Sequence, residues 1–393
     1  MSYYEMEPVS THAPGGEAPV EGIGLCLSGG GYRAMLFHTG VLLRLAELGY
    51  LSTEKRTGKQ GTMGSLMRVS SVSGGSITAG VLGLAWPALH VDSETEDVVE
   101  HFREHVMGPI QDFASKTTFS IMSGIVAMIF SSINKSIVKV YRNRLYGTKT
   151  LQDLPDYPRF VINATNLQSG ALWRFSKPYS RDWRVGEIKN PTDRIANAVG
   201  ASSAFPPFLS PARFRYQESQ FEPNSGEGLQ RPPYTTRPFL ADGGVYDNLG
   251  LETVFKHCKT VLVSNAGGGY KPKPKVSRDW IFQSYRVMQT TDNQVRSLRK
   301  RVLLNALTDG RRSGAYWSIR GDINHYPIED KLHCPVEKTR ELANIQTDLA
   351  AKDVTTQRKL INWGYAICDA GMRSWVEDGL TPPDGFPFKD EGV

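Results

Sequence analysis

Two short apolar runs, each broken by glycine and followed at once by a helical pattern, constrain this chain more than any other feature. Residues 23–28 (IGLCLS) read as a buried strand, and Gly29-Gly30-Gly31 follows directly. Residues 32–48 then place Met35, Val41, Leu42, Leu45 and Leu48 on one broad apolar stripe, with Gly49 as a C-terminal stop. The pattern repeats: residues 66–72 form an apolar run, Ser73-Gly74-Gly75-Ser76 a tight turn, and residues 77–85 a helix apolar on nearly every face. Successive strand–turn–helix units predict an α/β fold, a mainly parallel central sheet with helices on both faces.

Further strands are expected at residues 160–165, 239–241, 260–264 and 315–319, with 173–176 pairing near the first of these. Residues 94–146 read as helical and are expected to form a cap insertion. Residues 52–64 and 218–237 read as polar loops, and 194–201 as a short helix. The last third is expected to be a helical C-terminal extension, with helices over 280–307, 339–351 and 357–376. No repeat or linker divides the chain. The expected organisation is an arm over 1–20, a catalytic core over 21–270, and an extension over 271–393 packed on the same domain.

Composition limits the function classes. Of 393 residues, 46 are Lys or Arg and 40 Asp or Glu, a formal charge of +6. That mild basic balance suits an anionic partner such as a membrane surface or nucleic acid but is small on this length. The basic residues that follow the most apolar run favour a membrane surface over nucleic acid. The four cysteines, Cys26, Cys258, Cys334 and Cys368, have no zinc-ligand spacing. A reducing, cytoplasmic setting without metal, cofactor or disulfide is expected. No run approaches the roughly 20 apolar residues that span a bilayer. The first 22 residues carry Glu5, Glu7 and Glu17 and no apolar stretch, unlike a signal or transit peptide.

Three pieces bear on chemistry. Ser73 sits where an apolar strand turns sharply into a helix, and Gly74 and Gly75 give that turn room. This is the mechanical logic of the G-x-S-x-G nucleophile elbow, here SVSGG with Ser71 in place of the first glycine. An N-cap serine is the competing reading. The run Gly29–Gly31 can aim successive N–H groups at one point, as an oxyanion hole or a phosphate site, although neither G-x-G-x-x-G nor G-K-[ST] is present. Asp242 ends an apolar strand ahead of Gly243-Gly244, either on the rim where sites form in such sheets or as a plain turn aspartate.

In their chain order, SGGGYRAM, SVSGG and Asp242-Gly243-Gly244 resemble the patatin-like phospholipase family. The stretch ASSAFPPFLSP (Ala201–Pro211) is similar to the alanine-serine-proline segment that precedes that family's D-G-[GA] strand. The glycine loop is also similar to that of cytosolic phospholipase A catalytic domains, and the late LINWGY is similar to bacterial patatin-like proteins. Departures are Ser71 for glycine and Ala34 for the glycine after the basic residue. The resemblance implies a three-layer α/β/α fold and a Ser73–Asp242 dyad. Gly29, Gly30 and Gly31 would form the oxyanion hole with Arg33 in support, and Gly75, Gly243 and Gly244 would support the turns. It implies a serine acyl hydrolase acting through an acyl-enzyme on phospholipid or lysophospholipid, as a peripheral visitor to the membrane. The same dyad would serve an acyltransferase, or a ligand-gated lipase effector of bacterial antiviral defence.

Histidine is the alternative base. His257 is expected at the amino end of the strand over 260–264, opposite the rim. His101 and His105 are spaced i, i+4 without a metal motif. Residues 119–141 are apolar with a basic sequel, Lys135, Lys139, Arg142 and Arg144, and read either as a core helix or as a lid meeting a bilayer. Arg296, Arg299, Lys300 and Arg301 read as a solvated helix face. Gly267–Lys271 reads as a plain loop or a phosphate holder.

Overall fold

The computed structural model describes residues 18–90, 95–118, 133–207 and 209–393. Residues 1–17 of the expected arm and 119–132 of the expected lid lie outside the described residues. The chain runs β1 (Val20–Leu27), α1 (Gly31–Glu47), the hairpin β2 (Arg56–Gly58) and β3 (Gly61–Gly64), β4 (Leu66–Ser71) and α2 (Gly74–Leu89). Next come α3 (Thr95–Phe102), α4 (Gly108–Ala114) and α5 (Ile133–Tyr141), helices within the expected cap. The second half has β5 (Arg159–Asn166), β6 (Leu172–Phe175), β7 (Tyr179–Asp182), β8 (Gly186–Lys189), α6 (Ile195–Ser202), β9 (Ala212–Arg213) and β10 (Phe239–Asp242). Then follow α7 (Gly244–Asp247), α8 (Glu252–Phe255), β11 (Cys258–Asn265), α9 (Trp280–Thr308), β12 (Ser313–Ser318), α10 (Val336–Asn344) and α11 (Val354–Trp375).

Among the described residues, ten strands form one sheet in the order β12-β11-β1-β4-β5-β6-β7-β8, with β10 on β5 and β9 on β10. The pairs β12–β11, β11–β1, β1–β4 and β4–β5 are parallel, as the strand–turn–helix units require. Beyond β5 the sheet continues as an antiparallel meander, β6 to β8. β6 lies where residues 173–176 were expected to pair with the strand over 160–165, whereas β7 and β8, of four residues each, carry too little periodicity to be read from sequence.

The helix expected from residue 32 is more deeply set than an amphipathic stripe implies, for every residue of α1 except Glu47 is buried. One reason is α11. Added Cβ atoms on Gly40 and Gly364 would collide with the Ile361 and Phe37 carbonyls, so α1 and α11 touch backbone to backbone. Arg44 on α1 also pairs with Asp369 on α11 at 2.8 Å, both buried. The C-terminal helix therefore closes the core over the first βα unit. Two expectations need correction. Residues 52–64 hold a hairpin rather than a plain loop, and the helix expected to reach residue 351 stops at Asn344.

Candidate active site

Ser73 and Asp242 meet because of one edge of β5. Along that edge β4 pairs in parallel with the first half, registering Ser71 with Ile162. β10 pairs antiparallel with the second half, registering Asp242 with Ala164. The two strands run toward each other and stop with Asn163 between their ends. Asp242 was expected on the carboxyl rim of a parallel sheet. It is instead carried back by a reversed strand to the gap where β4 ends.

The turn at Ser73 is conformationally unusual. Its φ of 51° and ψ of −117° fall outside the wells that side-chain-bearing residues prefer. Such a conformation costs on the order of 1–3 kcal/mol and persists only where the surroundings hold it. Here they do. The Ser73 N–H donates to Ser202 Oγ at 2.9 Å, and Ser202 Oγ donates to the Asn163 carbonyl at 2.6 Å. Asn163 Nδ2 donates in turn to Ser70 Oγ and the Ser71 carbonyl, each at 2.9 Å. Ser202 and Asn163 were not singled out from sequence. The small residues of ASSA before the Pro-Pro stop were the available signal.

Asp242 is 2% exposed. Its carboxylate accepts the Gly244 N–H at 2.7 Å, and it lines the same cavity as Ser73. Burial pushes its pKa up to about 7, and the Gly244 N–H and the nearby Ser73 hydroxyl restrain the rise. A carboxylate that shares a cavity with a serine and whose pKa is raised toward neutrality is matched to proton transfer.

The glycine loop abuts this pair. A Cβ on Gly29 would lie 3.1 Å from Ser73 Cβ, and one on Gly74 would collide with Gly31. Gly30 and Gly31 adopt φ of 151° and 62°, which favour glycine. The Gly29 N–H is spent on the Asn248 carbonyl at 3.1 Å, and that of Tyr32 on the Asp348 carbonyl at 2.9 Å. The N–H groups of Gly30 and Gly31 open the helix and have no acceptor among the described residues. The pair, with the positive end of α1 behind it, suits a developing oxyanion.

Arg33 lies behind the loop rather than in the cavity wall. It is buried, and its guanidinium donates to the carbonyls of Ala266, Ile345 and Ala343 at 3.0, 2.5 and 3.3 Å. It ties the loop after β11 and the end of α10 to the start of α1, which makes it a positioning residue. Gly75 lets α2 sit against the Leu27 carbonyl, and Gly243 lies against the Asn163 carbonyl.

Ser73, Asp242, Gly29, Gly30, Gly31 and Gly244 line one cavity of 390 Å³. Phe205, Leu209 and Leu349 give it apolar wall, and Gly268–Lys271 with Tyr285, Arg286 and Arg296 form another side. The basic cluster on α9 is thus only partly solvated: Arg296 faces the cavity, pairing with Asp292 and donating to the Gly268 carbonyl at 2.7 Å. Arg299 pairs with Glu252 at 3.1 Å.

None of the described histidines lines the cavity. His38 is buried between Ser264 Oγ and the Ser28 carbonyl, at 2.8 and 2.9 Å, and burial lowers its pKa to about 4. It stays neutral and braces β1 against β11. His257 precedes β11, with its carbonyl bonded to the Val20 N–H at 3.0 Å, at the strand's amino end as expected. Among the described residues no cluster of metal-ligating side chains occurs, and no helix is long and apolar enough to cross a membrane.

No curated protein sequence matches the chain significantly. Among solved structures it is similar to VipD from Legionella pneumophila, at 15% identity over 91% of this chain and 68% of that one, with a TM-score of 0.34. It is also similar to human GIVD cytosolic phospholipase A2, at 13% identity over 90% of this chain and 58% of that one, with a TM-score of 0.40. A family model described as patatin-like phospholipase matches residues 25–255. That match spans more than half of the chain and takes in the glycine loop, the serine elbow and the Asp-Gly-Gly turn, so the chain belongs to the patatin-like phospholipase family.

Proposed function

We propose that this protein is a serine acyl hydrolase that releases fatty acid from phospholipid or lysophospholipid through a Ser73–Asp242 dyad. One observation carries the reading: a buried carboxylate and a serine held in a strained turn line one cavity, beside two unspent backbone N–H groups. In this reading Asp242 takes the Ser73 proton as Oγ attacks the ester carbonyl. The N–H groups of Gly30 and Gly31 stabilise the oxyanion, and Asp242 returns the proton to the departing alkoxide. Water then attacks the acyl-enzyme, with Asp242 again accepting the proton. The apolar wall at Phe205, Leu209 and Leu349 suits an acyl chain.

Labelling the protein with a fluorophosphonate and mapping the modified residue tests the nucleophile. Modification at Ser73, lost in Ser73→Ala, is expected; labelling elsewhere overturns the assignment. The pH profile tests the base. The carboxylate must be ionised, so kcat/KM is expected to rise with pH and level off above about 7, where Asp242 titrates. Below that point the rate falls about tenfold per pH unit. His38, neutral throughout, adds no limb. A profile already flat at pH 5 would remove Asp242 as the base.

A further inference from the structure

The 29-residue helix α9 is unlike its neighbours, for only Leu303 and Ala306 are buried. Tyr285, Gln289, Asp292 and Arg296, at i, i+4, i+7 and i+11, turn one face to the cavity. The first turn stands clear of the body. Trp280 is 73% exposed, Phe282 68% and Ile281 55%, with Val276 and Val287 also exposed. Three consecutive large apolar residues held in water at a helix start are costly unless something covers them.

The strap ahead of this turn supplies the charge. Lys271, Lys273, Lys275 and Arg278 are all exposed. The carboxylate among them, Asp279, caps the helix by accepting the N–H groups of Ile281 and Phe282 at 3.0 and 3.2 Å. The strap is fastened to the helix. Arg286 donates to the Lys271 carbonyl at 2.9 Å, and its guanidinium lies 4.0 Å from the centre of the Tyr270 ring. Tyr270 reaches Thr290 at 3.1 Å. Lys271 and Lys273 also border the cavity, so the apolar turn and the cations sit at its mouth.

We propose that the Trp280-Ile281-Phe282 turn and the Lys271–Arg278 strap dock the cavity mouth on an anionic lipid surface. The aromatic residues enter the headgroup boundary while the cations meet lipid phosphates, the division of labour of interfacial helices. Charge complementarity favours this occupant over a second copy of the chain, because two such faces would oppose cation to cation. The purpose of the surface rests on the acyl-hydrolase reading above; its binding test does not.

The experiment is vesicle sedimentation of the full chain with phosphatidylcholine vesicles, with and without phosphatidylglycerol. Binding is expected on the mixed vesicles and is expected to weaken as salt shortens electrostatic reach. Trp280→Ser/Phe282→Ser and Lys275→Glu/Arg278→Glu are each expected to bind at least about tenfold more weakly. Both are expected to lose hydrolysis of vesicle lipid while keeping wild-type rates on a soluble short-chain ester. Unchanged vesicle binding in both variants, or binding indifferent to phosphatidylglycerol, overturns the proposal. A wild-type dimer that Trp280→Ser/Phe282→Ser converts to monomer also overturns it, assigning the face to a second copy. If the wild type binds vesicles but hydrolyses neither substrate, the acyl-hydrolase reading fails and the docking surface stands.

Discussion

Asp242→Asn is expected to cost the protein its activity and to make it more stable. The loss is expected at about 10²–10⁴-fold in kcat, the usual contribution of a positioned general base. The gain follows from linkage. The Asp242 pKa is raised in the folded state to about 7, whereas an unfolded aspartate titrates near 4. The folded protein therefore holds an extra proton across that window, and its stability declines as pH rises through it. Above pH 7 the buried charge imposes its whole penalty, on the order of a few kcal/mol. Asparagine retains an acceptor for the Gly244 N–H and carries no charge. Thermal unfolding at pH 8 is thus expected to occur several degrees higher in Asp242→Asn, with the difference shrinking toward pH 4. Ser73→Ala is the companion: it is expected to lose about 10⁴-fold or more in rate without that pH-dependent gain, because the carboxylate remains. An active Asp242→Asn would end the dyad. An inactive but destabilised one would instead mean that the carboxylate serves the fold.

Much of this site was legible before any coordinates, because its pieces are local. A strand that turns into a helix through glycine announces itself in a dozen residues, and it did so at Gly29 and Ser73. Asp242 was legible for the same reason, as a strand end before two glycines. What brings it to Ser73 was not, because the direction of β10 is decided by pairing with β5, across 77 residues of chain at Thr165 and Asp242. The supports of the elbow are equally non-local. Ser202 and Asn163 are ordinary polar residues until the fold places one oxygen beside the Ser73 N–H. The same holds for Arg33. Its partners at Ala343 and Ile345 lie 310 and 312 residues away, where periodicity suggested an unbroken helix. The chain leaves the helix at Asn344 and returns under the glycine loop. The basic cluster on α9 is solvated at Lys300 and Arg301 as expected but not at Arg296, because helical spacing cannot say which face meets a cavity.

That return is the subject of the second large effect. Gly31→Ala is expected to damage both the fold and the reaction, and Gly147→Ala separates the causes. Both glycines have positive φ, 62° and 55°. Alanine held at so positive a φ costs on the order of 1–3 kcal/mol from backbone strain alone. At Gly147 nothing lies within 4 Å of the added Cβ, so strain is the whole cost. At Gly31 the Cβ would strike the Asp348 carbonyl, which accepts the Tyr32 N–H at 2.9 Å. Backbone cannot swing aside as a side chain does, so the loop or the 345–349 segment must move. Gly31→Ala is therefore expected to lose about 3–5 kcal/mol, at the upper end for a point substitution. Alanine keeps the Gly31 N–H, but a loop pushed off Asp348 no longer aims that proposed donor at the oxyanion, so kcat is expected to fall by up to about 10²–10³-fold even where the protein remains folded. Chemical denaturation and single-substrate kinetics on both variants decide the matter. Equal stability losses would mean that Asp348 yields freely and that the C-terminal extension does not brace the loop. A stability loss at Gly31 with unchanged kcat would mean that the 345–349 segment gives way and the loop N–H groups keep their place.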